Sequence, residues 1–69
     1  MATTSTFQVQ GMSCGHCVSS VRSEVSAIGG VTAVEVDLAS GQVNVTSDTP
    51  IDPDAVTAAV EEAGYEVVP

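Results

Sequence analysis

The residues best suited to chemistry lie in one heptapeptide, Gly11-Met12-Ser13-Cys14-Gly15-His16-Cys17. It contains both cysteines of the chain and its single histidine. Two cysteines separated by two residues bring their sulfur atoms close together when the backbone turns between them. Gly15 eases that turn because it lacks a Cβ atom. Thiolate is both the nucleophilic and the metal-binding form of cysteine, so Cys14 and Cys17 predict a metal site or a redox centre.

Three interpretations compete for this cysteine pair. A structural zinc site usually takes four ligands, and the chain has no second cysteine pair to supply them. Two thiolates suit Cu(I), a soft ion for which thiolates are selective. The third interpretation is a small dithiol oxidoreductase, because Cys-Gly-His-Cys is also the tetrapeptide of some thioredoxin-fold isomerases. In those isomerases a tryptophan precedes the tetrapeptide, giving Trp-Cys-Gly-His-Cys, and the domain is larger. This chain has no tryptophan.

A strand and a helix are predicted on the two sides of the heptapeptide. From Thr4 to Gln10 apolar and polar residues alternate, with Phe7 and Val9 on one face, as in a half-buried strand. After the heptapeptide, apolar residues recur at helical spacing until Gly29-Gly30, where the helix is expected to stop; they are Val18, Val21, Val25 and Ile28. A helix starting here places Cys17 in its first turn, where the helix dipole lowers the pKa of a thiol. Cys14 is then expected to be the more exposed cysteine.

The rest of the chain completes a βαββαβ order. Val31 to Leu38 and Gln42 to Thr46 alternate and predict a hairpin around the turn 39–41, with Val34, Val36, Leu38, Val43 and Val45 facing inward. Asp52-Pro53-Asp54 starts a second helix that ends at Gly64, and its buried stripe is Val56, Ala59, Val60 and Ala63. A last short strand follows from Tyr65 to Val68. This order predicts one α+β domain over 1–69 with a ferredoxin-like fold, in which two helices cover one face of a four-stranded antiparallel sheet.

The length and composition of the chain exclude several classes of function. A chain of 69 residues has room for a thin core and no deep cleft, so an elaborate enzyme is not expected. The net charge of −8 argues against nucleic acid and anionic membranes as partners, and favours a basic patch on a partner protein. The N-terminal residues resemble no secretory signal, and no apolar stretch is long enough to insert in a membrane. We therefore expect a cytoplasmic protein with reduced thiols.

The chain resembles the heavy-metal-associated domain family, whose signature Gly-Met-x-Cys-x-x-Cys is similar to residues 11–17. Gly29-Gly30-Val31 and Ala63-Gly64-Tyr65 extend the resemblance over nearly the whole chain. Within the family it looks like a free-standing bacterial copper chaperone, and an N-terminal metal-binding domain cut from a larger ATPase is the alternative. The resemblance implies that Cys14 and Cys17 bind Cu(I) and pass it to a copper-transporting P-type ATPase. A copper-responsive repressor is a second candidate partner. We expect a monomer without metal and dimers that depend on copper.

Three other residues, Met12, His16 and Tyr65, are candidates for a role near the cysteines. By resemblance, Met12 points into the core and anchors the loop, rather than binding the metal. His16 is either an exposed imidazole without a role, a group that tunes the thiols, or an extra nitrogen ligand at higher copper loading. Tyr65 is expected to cover an edge of the core, and by resemblance it lies on a loop near the metal, where it shields the thiolates from water.

Overall fold

The computed structural model describes residues 2–13 and 15–68. Its elements follow the predicted order: β1 (Thr3–Gln10), α1 (Gly15–Ser26), β2 (Val31–Asp37), β3 (Gln42–Ser47), α2 (Pro53–Glu62) and β4 (Glu66–Val68). The four strands form one antiparallel sheet in the order β2-β3-β1-β4. This is the predicted ferredoxin-like fold. Neither helix is long and apolar enough to cross a membrane, within the part of the chain that the structure describes.

The core consists of valines from the sheet and from both helices. On β3, Val43 and Val45 are fully buried, as the alternating pattern predicts, and Val9 of β1 is 3% exposed. The helices contribute Val21, Val25, Val56 and Val60, all fully buried. Burying one such side chain contributes about 1.5 to 3 kcal/mol, so this cluster is the main source of stability that the side chains provide.

The other face of the sheet carries polar side chains that bond across the strands. The Thr4 and Thr46 hydroxyls lie 3.2 Å apart, and the Thr6 hydroxyl donates to Asn44 Oδ1 at 2.7 Å. At the edge of the sheet, β2 exposes Glu35 and Asp37 and has an irregular register between Val31 and Ala33. The opposite edge strand, β4, is only 3 residues long.

Leu38 is where the sequence interpretation was wrong. It was expected to face inward as the end of β2, but it is 39% exposed and lies in the turn after β2. The strand ends at Asp37, whose carboxylate accepts a hydrogen bond from the Ala39 N–H at 3.0 Å. This bond turns the chain, so the alternation of apolar and polar residues does not continue to Leu38.

Other element boundaries differ by one to three residues from the predicted ones. Helix α1 ends at Ser26, before Gly29-Gly30, and the chain continues with shorter-range bonds such as Ile28 N–H to the Val25 carbonyl at 3.1 Å. Gly30 then adopts φ +91°, a left-handed conformation that suits glycine. Tyr65 immediately precedes β4 instead of starting it.

The strand register defines two ends of the molecule. Gln8 pairs with Gln42 and Gln10 with Glu66, so residues 11–13, 15–17, 38–41 and 63–66 share one end, here called the site end. Thr3 and Val31 both pair with Ser47, so residues 27–30 and 47–52 lie at the opposite end, here called the far end.

Candidate metal centre

Cys17 lies in the first turn of α1, as predicted from the sequence, and its side chain is half-buried. The first N–H groups of a helix lack intrahelical partners and carry partial positive charge. A thiolate at this position is stabilised by that charge. Cys14 lies outside the described residues, so its expected greater exposure and the ligand roles of both cysteines stay predictions.

Gly11 starts the segment that leads from β1 to the cysteines, and it has φ +100°. A left-handed backbone of this kind is strained for residues with a Cβ atom. A Cβ placed at Gly11 would lie 3.2 Å from Cδ1 of Tyr65. The Tyr65 ring therefore lies directly against the backbone of the segment that leads to the two cysteines.

Met12 follows Gly11 and is half-buried, packed against the valine core. Methionine fills irregular gaps well because its side chain is unbranched and flexible. This packing supports the interpretation of Met12 as the anchor of the loop. Whether its sulfur also contacts a bound metal stays untested.

His16 is exposed in the first turn of α1, where its backbone carbonyl accepts a hydrogen bond from the Ser20 hydroxyl at 3.2 Å. It lines a shallow groove between the two helices, together with Ser19, Ser20, Ser23, Glu24, Glu62 and Ala63. The structure thus places His16 at the surface beside Cys17. None of its three interpretations is decided by this position.

Tyr65 lies at the same end of the molecule, in the segment between α2 and β4. Its N–H donates to the Val60 carbonyl at 3.1 Å, and its side chain is half-buried against the core. The next residue, Glu66, accepts a hydrogen bond from Gln10 Nε2 at 2.8 Å. Tyr65 therefore covers an edge of the core and also borders residues 11–13, and its expected shielding of the thiolates stays a prediction.

The turn between β2 and β3 holds the end of β1 from the opposite side, a feature that the sequence analysis missed. Gln8 Nε2 donates to the Ser40 carbonyl at 2.5 Å, and the Val9 N–H donates to the Gly41 carbonyl at 2.8 Å. Gly41 has φ +76°, and a Cβ there would lie 2.5 Å from the Val9 carbonyl oxygen. Glycine in the sequence indicated a turn, but only the fold shows that this turn touches β1.

Few of the described side chains near the site could bind a metal ion. In residues 2–13 and 15–68, no group of three or more His, Cys, Asp or Glu side chains is arranged to hold a metal ion. Glu62 and Glu66 add negative charge at or beside the site end, in a chain that has one arginine, Arg22, and no lysine. What the described site offers is a helix N-terminus with one thiol, a packed methionine, an aromatic ring and an acidic border.

Comparison with known proteins gives consistent matches over almost the whole chain. The profile of the heavy-metal-associated domain matches residues 6–66. A curated copper chaperone CopZ from Staphylococcus aureus (strain bovine RF122 / ET3-1) is 48% identical over 61 residues, covering 87% of this chain and 90% of its own length. Among solved structures, a CopZ metallochaperone superimposes with a TM-score of 0.90 at 42% identity, covering 96% of this chain and 100% of its own. The N-terminal domain of PacS from Synechocystis PCC6803 has a TM-score of 0.84 at 35% identity, with coverages of 96% and 94%.

Proposed function

Because the chain belongs to the heavy-metal-associated domain family, we propose that it is a copper carrier that binds one Cu(I) between the thiolates of Cys14 and Cys17. The observation that carries this proposal is the similarity to a copper chaperone over nearly the full length of both chains. The position of Cys17 in the first turn of α1 supports it, since the helix N-terminus favours the thiolate that Cu(I) needs. The protein acts as a carrier and not as an enzyme, in the cytosol, where thiols stay reduced.

Copper leaves such a site by ligand exchange. A thiolate of the acceptor bonds to Cu(I) first, so that the ion has three sulfur ligands, and one donor thiolate then departs. Each step forms one Cu–S bond or breaks one, and copper stays in the same oxidation state throughout. An exposed metal-binding segment at the site end suits this reaction, because the acceptor must reach the ion before a thiolate of the carrier dissociates from it. The acceptor that we propose is a copper-transporting P-type ATPase, with a copper-responsive repressor as a second one.

The charge of the chain affects how it meets an acceptor. With one basic and nine acidic residues, it is attracted to a basic surface, and the association rate should fall as salt rises. The same charge opposes pairing of two copies of the chain. We therefore expect sedimentation velocity to show a monomer without metal, and dimers only when Cu(I) is shared between molecules. A stable metal-free dimer would contradict this expectation.

A second candidate function is that of a metal-binding domain within a longer transporter. The similarity to the PacS N-terminal domain favours it, because that fold occurs there as one domain of a larger protein. The proposed copper site is the same in both cases. The two functions differ only in whether the acceptor is a separate molecule or another part of the same one.

The experiment that tests the proposed function is an anaerobic Cu(I) titration of the reduced protein against a competing Cu(I) chelator. Binding is followed in the ultraviolet thiolate-to-metal band. We expect one Cu(I) to be held tightly per chain, and the band to disappear in Cys14→Ser and Cys17→Ser. Weak binding, together with a Cys14–Cys17 disulfide that is readily reduced and re-formed, would instead support the dithiol oxidoreductase.

A further inference from the structure

We propose that Gly11 is a positioning residue, whose missing side chain lets the Tyr65 ring pack on the metal-binding loop and hold it closed. A Cβ at position 11 would lie 3.2 Å from Tyr65 Cδ1, a contact tighter than most that Cβ atoms make. An alanine there would push the ring away from the loop or the loop away from the ring. Gly11 thus does more than permit a left-handed turn.

Tyr65 is fixed independently of this contact, which is why it can act on the loop. Its backbone N–H is bonded to the Val60 carbonyl at the end of α2, and the Gln10 amide bonds the neighbouring Glu66. The ring therefore projects from a segment that is tied to both α2 and β1. Gly11 follows Gln10 directly, so the loop leaves β1 beneath the ring. Because these supports do not involve the loop itself, the ring restricts how far the loop can open.

The consequence for copper depends on the proposed function, but the contact itself can be tested without metal. A loop that opens more often exposes the half-buried Cys17 thiol more often, so alkylation of Cys17 reports on the contact. We would measure the iodoacetamide alkylation rate of the reduced, metal-free chain by mass spectrometry. Gly11→Ala and Tyr65→Leu should each raise the rate about twofold or more, which is the lower end of the coupling between residues in contact. The double variant should be no faster than the faster single variant.

Two further variants separate the ring contact from other effects. Gly64 has φ +96°, and a Cβ added there would meet no heavy atom within 4 Å, so Gly64→Ala introduces comparable backbone strain without a clash. It should raise the alkylation rate less than Gly11→Ala does. Tyr65→Phe keeps the ring and should alkylate more slowly than Tyr65→Leu. As a spectroscopic check, the Hα resonances of Gly11 should be shifted by the ring current in the parent and in Tyr65→Phe, and lose that shift in Tyr65→Leu.

Specific results would overturn the inference. Alkylation of Gly11→Ala at the parent rate would do so, as would a Gly11→Ala effect that persists at full size in the Tyr65→Leu background. If Gly11→Ala does not fold, equal rates in Tyr65→Leu and Tyr65→Phe would overturn it instead. A parent protein that fails to bind copper would refute the proposed function and leave these alkylation results unaffected.

Discussion

The two ends of the molecule are held together by different interactions. At the far end, buried Ser47 donates to the Gly30 carbonyl at 2.9 Å and accepts from the Thr49 N–H at 3.2 Å. The Asp48 N–H bonds the same Gly30 carbonyl at 2.9 Å. At the site end, hydrogen bonds such as that from Gln8 to the Ser40 carbonyl hold the strand ends, whereas residues 11–13 of the loop pack through Met12 against the core and through Gly11 against the Tyr65 ring.

This difference indicates which parts of the chain serve stability and which serve exchange. A buried polar network is costly to disturb, because each group that loses its partner stays desolvated. Packing contacts at an exposed segment can be broken and re-formed with a smaller cost, as expected of regions that must move. The comparison therefore predicts that substitutions at the far end change stability, and that substitutions at the site end change metal binding.

The largest effect is expected from Cys17→Ser. A hydroxyl is a poor ligand for Cu(I), so tight binding should be lost to the competing chelator. The free energy of unfolding should change by less than about 1 kcal/mol, because the side chain lies outside the valine cluster. A chelator titration and urea unfolding on the same preparation check both statements. Copper binding at the parent level would remove Cys17 from the site.

Gly30→Ala should lower the stability of the fold and leave copper binding unchanged. Its φ of +91° strains an alanine, and the added Cβ would collide with the Thr49 hydroxyl and crowd that of Ser47. We expect a destabilisation of about 1 to 3 kcal/mol, measured by urea unfolding, with one Cu(I) still bound per folded chain. Gly29→Ala is the matched control, since nothing lies within 4 Å of a Cβ there. Equal stabilities of the two variants would show that the far end tolerates disruption.

Asp52→Ala tests the far end with a smaller effect. Asp52 caps α2, and its Oδ1 accepts the Asp54 N–H at 2.9 Å. Losing a cap of this kind costs about 1 kcal/mol. Asp48→Ala removes the same charge from an exposed side chain nearby and should cost less, as thermal unfolding would reveal. If the two variants were equally stable, the contribution of the cap would be negligible.

Met12→Leu should produce the smallest effect. Leucine has a similar volume, so the packing of the loop is largely kept, with a stability change below about 1.5 kcal/mol. The Cu(I) stoichiometry should remain one per chain in the chelator titration. Loss of copper binding in a folded Met12→Leu variant would mean that the methionine sulfur is a ligand, and that packing is not its only role.

The sequence predicted the fold well because its signals are local. The alternation in β1 and β3, the helical spacing of Val21 and Val25, and the cap at Asp52 each depend on neighbours in the chain. The error at Leu38 has the same origin, because alternation alone does not show where a turn ends a strand. The buried Ser47 was missed, since its partner Gly30 is distant in sequence and nothing in a strand pattern indicates it.

The site was only partly predictable. The motif itself indicated Cys14 and Cys17 as metal ligands, and the family resemblance indicated Tyr65 near the loop; these site roles stay predictions. The contact between Tyr65 and Gly11 joins positions 54 residues apart, from 11 to 65, so it depends on how β4 pairs with β1. The support that Gly41 gives to β1 likewise depends on tertiary structure.

The edges of the sheet have a consequence for behaviour in concentrated solution. Exposed edge strands can pair with those of other molecules and start fibrils. Here one edge strand is too short to serve as a template, and the other combines the carboxylates of Glu35 and Asp37 with an irregular register. Edge-to-edge stacking of copies is thereby disfavoured at both edges of the sheet.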